Sequence, residues 1–192
     1  MRLFPKEVIK KDIPPWIQEI VSTQKKESNK IPSRWIQLST IGLDNSPRVR
    51  TVVFRGWNKE HEMQIFTDKR SEKFKEIEIN NNVEICWLFP KSKSQFRFRG
   101  RSKIEMGEKA SWYWEKLSPN SKSLWAWPTP GELYEKESFS SNEIKDSPSK
   151  SSNFVVLEIV ISQVDYLFLQ KPIHMRKRWL RDSNWLEERI NP

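Results

Sequence analysis

Apolar residues recur along this chain at two spacings, and the alternation between them divides it into helices and strands. Trp16, Ile17, Ile20 and Val21 follow Pro14-Pro15 as the stripe of an amphipathic helix with proline at its opening. From Trp35 to Ile41 the period falls to two, Asp44-Asn45-Ser46-Pro47 reverses the chain, and residues 48–57 return as a second strand. Beyond Asn58-Lys59-Glu60, residues 63–67 complete a meander. Ser71 stands where it can cap a helix over Glu72–Ile79, with Phe74 and Ile77 on one face. An apolar run over 83–89 precedes residues 95–101, where aromatic and basic residues alternate and Phe96 and Phe98 face a core. Helices are predicted over 107–117, with Ala110, Trp114 and Leu117 on one side, and over 119–125. Strand character resumes at 153–170, and Met175–Leu180 pairs with 185–190 across Asp182-Ser183-Asn184 as a terminal hairpin. Residues 132–152, rich in Ser, Lys and Glu, read as a mobile insertion within a single domain spanning 1–192. Many antiparallel strands with few helices predict an α+β domain built on a closed or nearly closed barrel.

The second strand breaks the pattern. Arg48, Arg50 and Arg55 lie within β-branched and aromatic residues, and burying a guanidinium is costly unless acceptors meet it. Arg48 and Arg50 share one face while Arg55 takes the other, so one small anion does not account for all three. Two readings compete: an edge strand with solvated arginines, or an elongated anionic ligand, including one held between two subunits.

Composition narrows the choice. A net charge of +9 favours an anionic partner: nucleic acid, phosphorylated metabolite or membrane surface. The ten tryptophans serve either as stacking platforms or, more commonly, as core and interface filling. One cysteine, Cys86, excludes an internal disulfide, and two histidines, His61 and His174, argue against a Cys/His zinc site, so a reducing cytoplasm is expected. The most apolar stretch, residues 154–161, is too short to span a bilayer and contains Glu158, so a soluble chain is expected. Five glycines leave little room for a phosphate-binding glycine loop, and no catalytic triad or carboxylate pair stands out. Any hard chemistry therefore belongs to a cofactor.

Several motifs in order resemble the flavin-mononucleotide (FMN)-binding split barrels related to pyridoxamine 5′-phosphate oxidase. They are Arg50 to Arg55, Phe66-Thr67, Ser71-Glu72-Lys73, Gln95-Phe96-Arg97, Val164-Asp165-Tyr166, His174-Met175-Arg176 and the closing Trp185 to Pro192. Trp112 to Ser118 and Trp125 to Gly131 are most similar to a cyanobacterial and plant branch of that family. The resemblance implies an α+β, mainly antiparallel split β-barrel with a few flanking helices and a C-terminal hairpin. It further implies a homodimer with FMN at the subunit interface and oxidoreduction of a small molecule.

The cofactor set that the resemblance implies is Arg50, Thr51, Val52, Val53, Arg55, Phe66, Thr67, Ser71, Lys73, Gln95, Trp127 and Arg176. Arg50 and Lys73 would neutralise the phosphate, with Ser71 and the helix N-terminus adding donors, and Arg55 and Arg176 would place charge near the ring. Glu72 stands where the family carries Arg, leaving Lys69 or Arg70 to supply that cation. Trp114, Lys122 and His174 are the substrate-side candidates. The arginines that hold a vitamin B6 phosphate are absent, so a different substrate is expected. The alternatives are a single-stranded nucleic-acid-binding barrel stacking bases on Phe96 and Phe98, and a flavin carrier or sensor without turnover.

Overall fold

Among the described residues the period-two segments become eight strands: β1 (Trp35–Ile41), β2 (Pro47–Trp57), β3 (Met63–Asp68), β4 (Asn82–Phe89), β5 (Ser94–Glu105), β6 (Phe154–Phe168), β7 (Met175–Leu180) and β8 (Glu187–Ile190). The structure, a computed structural model, describes residues 13–27, 31–134, 152–169 and 171–192, so most of the expected insertion, 135–151, lies outside the described residues. All pairings are antiparallel, in the order β3-β2-β1-β4-β5-β6-β7-β8, with a further pairing of β3 to β6 that closes six strands into a barrel.

Closure depends on β6. Residues 156–168, apart from a bulge, pair with β5 along one edge, while the other edge pairs with β3 over 154–159 and with β7 over 163–168. One strand thus closes the barrel with its first half and carries the terminal hairpin on its second. All six residues 154–159 are buried, which explains the apolar run: this wall has protein on both faces. At the bulge in the β5–β6 ladder the backbones approach closely. A Cβ on Gly100 would lie 2.2 Å from the Val160 carbonyl oxygen, so only glycine fits there.

Inside the barrel, Ile36, Leu38, Phe54, Met63, Ile65, Ile85, Trp87, Phe96 and Phe98 are fully buried. Each such side chain contributes roughly 1.5–3 kcal/mol by leaving water. Helix α1 (Pro15–Lys26) seals one end with Trp16, Ile17 and Ile20. The Trp16 ring meets Trp57 at 5.4 Å and Phe98 and Trp185 at 5.8 Å. Helix α2 (Glu72–Ile79) plugs the opposite end with Phe74 and Ile77. The last strand begins at Glu187 rather than 185, because Asn184 and Trp185 adopt left-handed conformations (φ 52° and 59°) and Trp185 turns back onto Trp16.

A second, smaller core lies outside the barrel. Helix α3 (Glu108–Glu115), the short α4 (Pro119–Lys122) and a 3₁₀ turn over Ser123–Ala126 bring Ala110, Trp114 and Trp125 against Phe154 and Val156, with Phe66, Tyr113 and Leu117 at its margin. The first wall of β6 is therefore sandwiched between two cores.

Candidate functional site

Strand β2 is central, flanked by β1 and β3, which removes the edge-strand reading of its arginines. Each has a different fate. Arg48 pairs with Asp44 of the preceding turn at 2.8 Å, on the surface. Arg50 shares the inward face with Phe54 and pairs at 2.8 Å with Glu76 of α2, also donating to the Thr40 hydroxyl. Thr40 in turn donates to Glu76 at 2.5 Å, so this nearly buried carboxylate receives two donors. Arg55 sits at a β2–β3 register shift between Phe54 and Gly56, where Gly56 has φ +155°, a conformation that disfavours any side chain. It lies on the outer face, its guanidinium 5.2 Å from the centre of the Phe66 ring.

Beside Arg50 a second cation lacks a partner. Lys73 Nζ is 3.3 Å from the Thr67 hydroxyl, and among the described residues no carboxylate pairs with it. Burial first, and Arg50 second, push its pKa below the ordinary lysine value against the weaker pull of Asp68, Glu76 and Glu72. Ser71, at the N-cap of α2, spends its hydroxyl on the Asp68 carbonyl at 2.6 Å and makes no side-chain cap, so the first amides of α2 stay uncapped by it. Arg50, Thr67, Ser71 and Lys73 therefore converge as expected. Arg70 does not replace the family's missing cation: it is bidentate on Asp68 and donates to the Trp125 and Trp127 carbonyls, tying down the tryptophan loop. Glu72 points to solvent.

On the outer face Arg55 and Phe66 border a cleft of about 920 Å³, lined also by Arg34, Gln64, Lys109, Trp112, Tyr113 and Lys116. Arg55 Nε is sealed from solvent without a hydrogen-bond partner, and burial, then the charge of Arg34, lower its pKa. The cleft thus combines flat apolar walls and one carboxylate, Glu60, with two kinds of cation: Arg55, which has no carboxylate partner among the described residues, and Lys109, paired with Glu158 at 2.5 Å.

The remaining expected residues divide. Val52 packs against the barrel core, while Thr51 and Val53 face outward. Gln95 and Arg176 fall in one transverse row, Gln95 opposite Leu167 and Leu167 opposite Arg176, on a wall separated from β2 by β1 and β4. Arg176 also pairs with Asp165 at 3.2 Å, alongside Arg178 and Arg97. Within one chain this second group does not join the first. Trp127 is half exposed and His174 exposed. Trp114 is a correction: at 2% exposure it belongs to the outer core, with Lys122 Nζ 5.5 Å from its ring, and neither lines the cleft. The helix turns the neighbouring Tyr113 to the cleft instead. Tyr113 and Lys116 were missed because a helix this aromatic does not reveal from periodicity which ring is outermost, and Gln64 because a lone polar residue at the start of an apolar strand carries no sign of the face it takes. Phe96 and Phe98, fully buried, offer no surface for stacking bases.

Residues 13–106 match the FMN-binding domain of pyridoxamine 5′-phosphate oxidase. Pyridoxine/pyridoxamine 5′-phosphate oxidase 2 of Arabidopsis thaliana is 32% identical, the alignment covering 94% of this chain and 98% of that one. The pyridoxine/pyridoxamine 5′-phosphate oxidase of Leptospira biflexa is 33% identical over 54% of this chain and 48% of its own. Among solved structures, a pyridoxamine 5′-phosphate oxidase-related, FMN-binding protein from Nostoc punctiforme superposes with a TM-score of 0.85 at 29% identity, over 94% of this chain and 99% of that one. PhzG from Burkholderia lata shares the fold, with a TM-score of 0.80 at 16% identity over 100% of this chain and 98% of that one. The fold is thus that of the split-barrel flavoproteins. The chain belongs to the FMN-binding family related to pyridoxamine 5′-phosphate oxidase.

Its residues fit that cofactor. A phosphate dianion is what Lys73, unpaired and desolvated beside Arg50 at an uncapped helix N-terminus, lacks.

Proposed function

We propose that this protein is an FMN-dependent oxidoreductase that works as a homodimer on a small anionic molecule other than a vitamin B6 phosphate. Lys73 carries the reading: a half-buried ammonium beside a guanidinium, without a carboxylate partner among the described residues, is stabilised by a bound phosphate. Arg50 and Lys73 hold the FMN phosphate, the Thr67 hydroxyl and the first amides of α2 orient it, and the cleft beyond Arg55 and Phe66 receives the substrate. When bound, the flavin supplies two-electron chemistry, accepting hydride from a substrate carbon. The chain's own part is to place that carbon and exclude water, through Phe66, Trp112 and Tyr113 as walls and Arg55 as the fixed charge.

The dimer is supported by the two groups that do not meet in one chain. Gln95 and Arg176 of a second copy complete the site begun by Arg50 and Lys73, and exposed Trp35, Val49 and Leu88 offer apolar area for that contact. A single unpaired cysteine suits the reducing cytoplasm, and among the described residues no helix is long and apolar enough to cross a membrane.

The purified protein should show flavin absorption and bind FMN far more tightly than riboflavin. Equal affinity for both places the phosphate elsewhere. Mixed dimers of Lys73→Met and Gln95→Leu chains should regain one competent site per pair; a monomer that binds FMN tightly removes the shared site. Substrate choice follows from the cleft, where the apolar Leu117 stands one turn from Tyr113, and from Pro172, outside the cleft lining, two residues before His174, where the resemblance to the vitamin B6 oxidases would call for an arginine. Peroxide release with pyridoxamine 5′-phosphate should therefore be slow.

A further inference from the structure

The tryptophan loop is held to the turn that opens α2 by contacts that neither the cofactor nor the substrate reading uses. Arg70 grips Asp68 through Nε, at 3.0 and 3.2 Å from the two carboxylate oxygens, and through Nη2 at 2.7 Å. Nη2 also reaches the Trp127 carbonyl at 3.0 Å and the Trp125 carbonyl at 3.4 Å. From the loop side, the Trp125 indole donates to the Thr67 carbonyl at 3.2 Å, its buried ring packed on Trp114 at 5.7 Å and Phe154 at 5.0 Å.

Residues 67–71 form the turn that carries the Thr67 hydroxyl to Lys73 and precedes the first amides of α2. Asp68 shapes that turn. Its carbonyl accepts from the Ser71 amide at 3.1 Å and the Ser71 hydroxyl at 2.6 Å, and its Oδ1 accepts from the Arg70 amide at 2.8 Å. Its charge is felt at Lys73, where it opposes the stronger effect of burial. Asp68 is therefore a carboxylate built into the rim of an anion site, where it repels a phosphate. Arg70, always protonated and locked onto both oxygens, cancels that charge. The same planar fork directs the remaining Nη2 proton at the loop, so charge cancellation and loop docking belong to one set of contacts.

We propose that Arg70 and Asp68 are positioning residues that couple docking of the tryptophan loop to occupancy of the phosphate site. The proposal rests on reading Arg50, Lys73 and the start of α2 as that site. With the loop docked, Thr67, Asp68 and the α2 amides are fixed before the anion arrives, and less freedom is lost on binding. With the loop undocked, Arg70 loses two acceptors, Thr67 loses the indole, and Asp68 regains its charge. Coupling of this kind is reciprocal: whatever factor docking contributes to anion affinity, the anion contributes to docking. Loading the cofactor therefore also closes the loop that carries Trp127.

The test measures amide hydrogen exchange of residues 123–131 alongside FMN affinity, the flavin content of the protein being read first from its visible spectrum. Saturating FMN should slow exchange of the loop about tenfold, inorganic phosphate should slow it too, and riboflavin, which lacks the phosphate, should not. Arg70→Lys keeps the charge without the planar fork, so it should speed loop exchange and weaken FMN binding by the same factor, about tenfold. Asp68→Asn separates coupling from simple electrostatics. Asparagine keeps an oxygen for the Arg70 amide but loses the ionic grip on the guanidinium. Charge alone predicts tighter FMN binding once a carboxylate leaves the site, whereas coupling predicts faster loop exchange and weaker binding.

If Asp68→Asn does not fold, Arg70→Lys decides alone. Tighter FMN binding in Asp68→Asn, unchanged affinity in Arg70→Lys, loop exchange indifferent to FMN in the parent, or equal slowing by FMN and riboflavin overturns the proposal. A parent that binds FMN and gives any of those results keeps the phosphate site and loses the coupling. A parent that binds neither FMN nor inorganic phosphate loses the phosphate site, and the coupling with it.

Discussion

Arg50 and Arg55 stand five residues apart on one strand and face opposite sides of the barrel wall, yet their surroundings answer their charge differently. Arg50 meets Glu76 and Thr40 and is neutralised by the fold itself, whereas Arg55 meets a ring face and another cation and is not. A compensated cation is scaffold first, and a ligand adds to it. An uncompensated one holds its position because packing holds it, and its charge is available to whatever binds. Lys73 belongs with Arg55 in this respect, although it lies beside Arg50. The end proposed for the phosphate therefore combines both kinds of cation, and so does the cleft, where Arg55 is of the second kind and Lys109, paired with Glu158, is of the first.

The largest effect should come from breaking the compensated pair. Glu76→Gln leaves Arg50 and Lys73 together without a carboxylate, and removing one partner of a buried pair costs about 3–5 kcal/mol. Urea unfolding should show that loss, and inorganic phosphate should recover part of it by occupying the same place. Lys73→Met should act in the opposite way: FMN affinity falls by about 1.5–3 kcal/mol while the flavin-free protein is no less stable. A loss of stability as large as that of Glu76→Gln would erase the distinction between the two kinds of cation. Arg55→Met should change stability by only about 0.5–1 kcal/mol, the contact with Phe66, while binding of benzoate, a probe anion for the cleft, disappears.

The smallest effect concerns acid. Glu158, with Lys109 and Gln64 on it, and Asp165, with Gln163, Arg178, Arg97 and Arg176 around it, both have pKa values lowered from ordinary values of 4.5 and 3.8. In each, burial raises the pKa and the partners outweigh it. The stabilisation is therefore fully present above about pH 4.5 and is lost as pH falls through the lowered native values. Unfolding free energy followed from pH 7 to 3 should decline less steeply in Glu158→Gln than in the parent.

Much of the fold was legible because each strand carries one register of its own pattern. Trp35–Ile41 forms where alternation places it, and Glu72–Ile79 forms where Phe74 and Ile77 share one apolar face, although Ser71 at its N-cap position gives no side-chain cap. The 107–117 helix shrinks to Glu108–Glu115, and β5 extends to Glu105 beyond the last alternating residue, because pairing along the whole length of β6 sustains it. The Arg50–Lys73 cluster could be read from motif order, but its counter-ion could not. Glu76 appears in the sequence as one more charged helix residue, and only the fold turns it inward. Trp114 was misplaced for the same reason: two adjacent aromatics on a short helix differ by about 100° of rotation, and the surface they cover decides which is buried.

Helix α3, with Tyr113 and Lys109, belongs to the excursion of residues 106–153 that leaves the barrel at the end of β5 and rejoins it at β6. Those two strands are neighbours, held by the longest ladder in the sheet, so their alignment owes nothing to the length or sequence of what joins them. Loop-closure entropy grows only logarithmically with added residues. One wall of the cleft is therefore an interchangeable part, open to replacement by drift or design while the cations of β2 and α2 stay in place. Divergence of substrate among proteins built this way should be concentrated in that excursion, and a transplant of 106–122 between two of them, which spares the tryptophan loop, should carry substrate preference with it and leave flavin affinity behind.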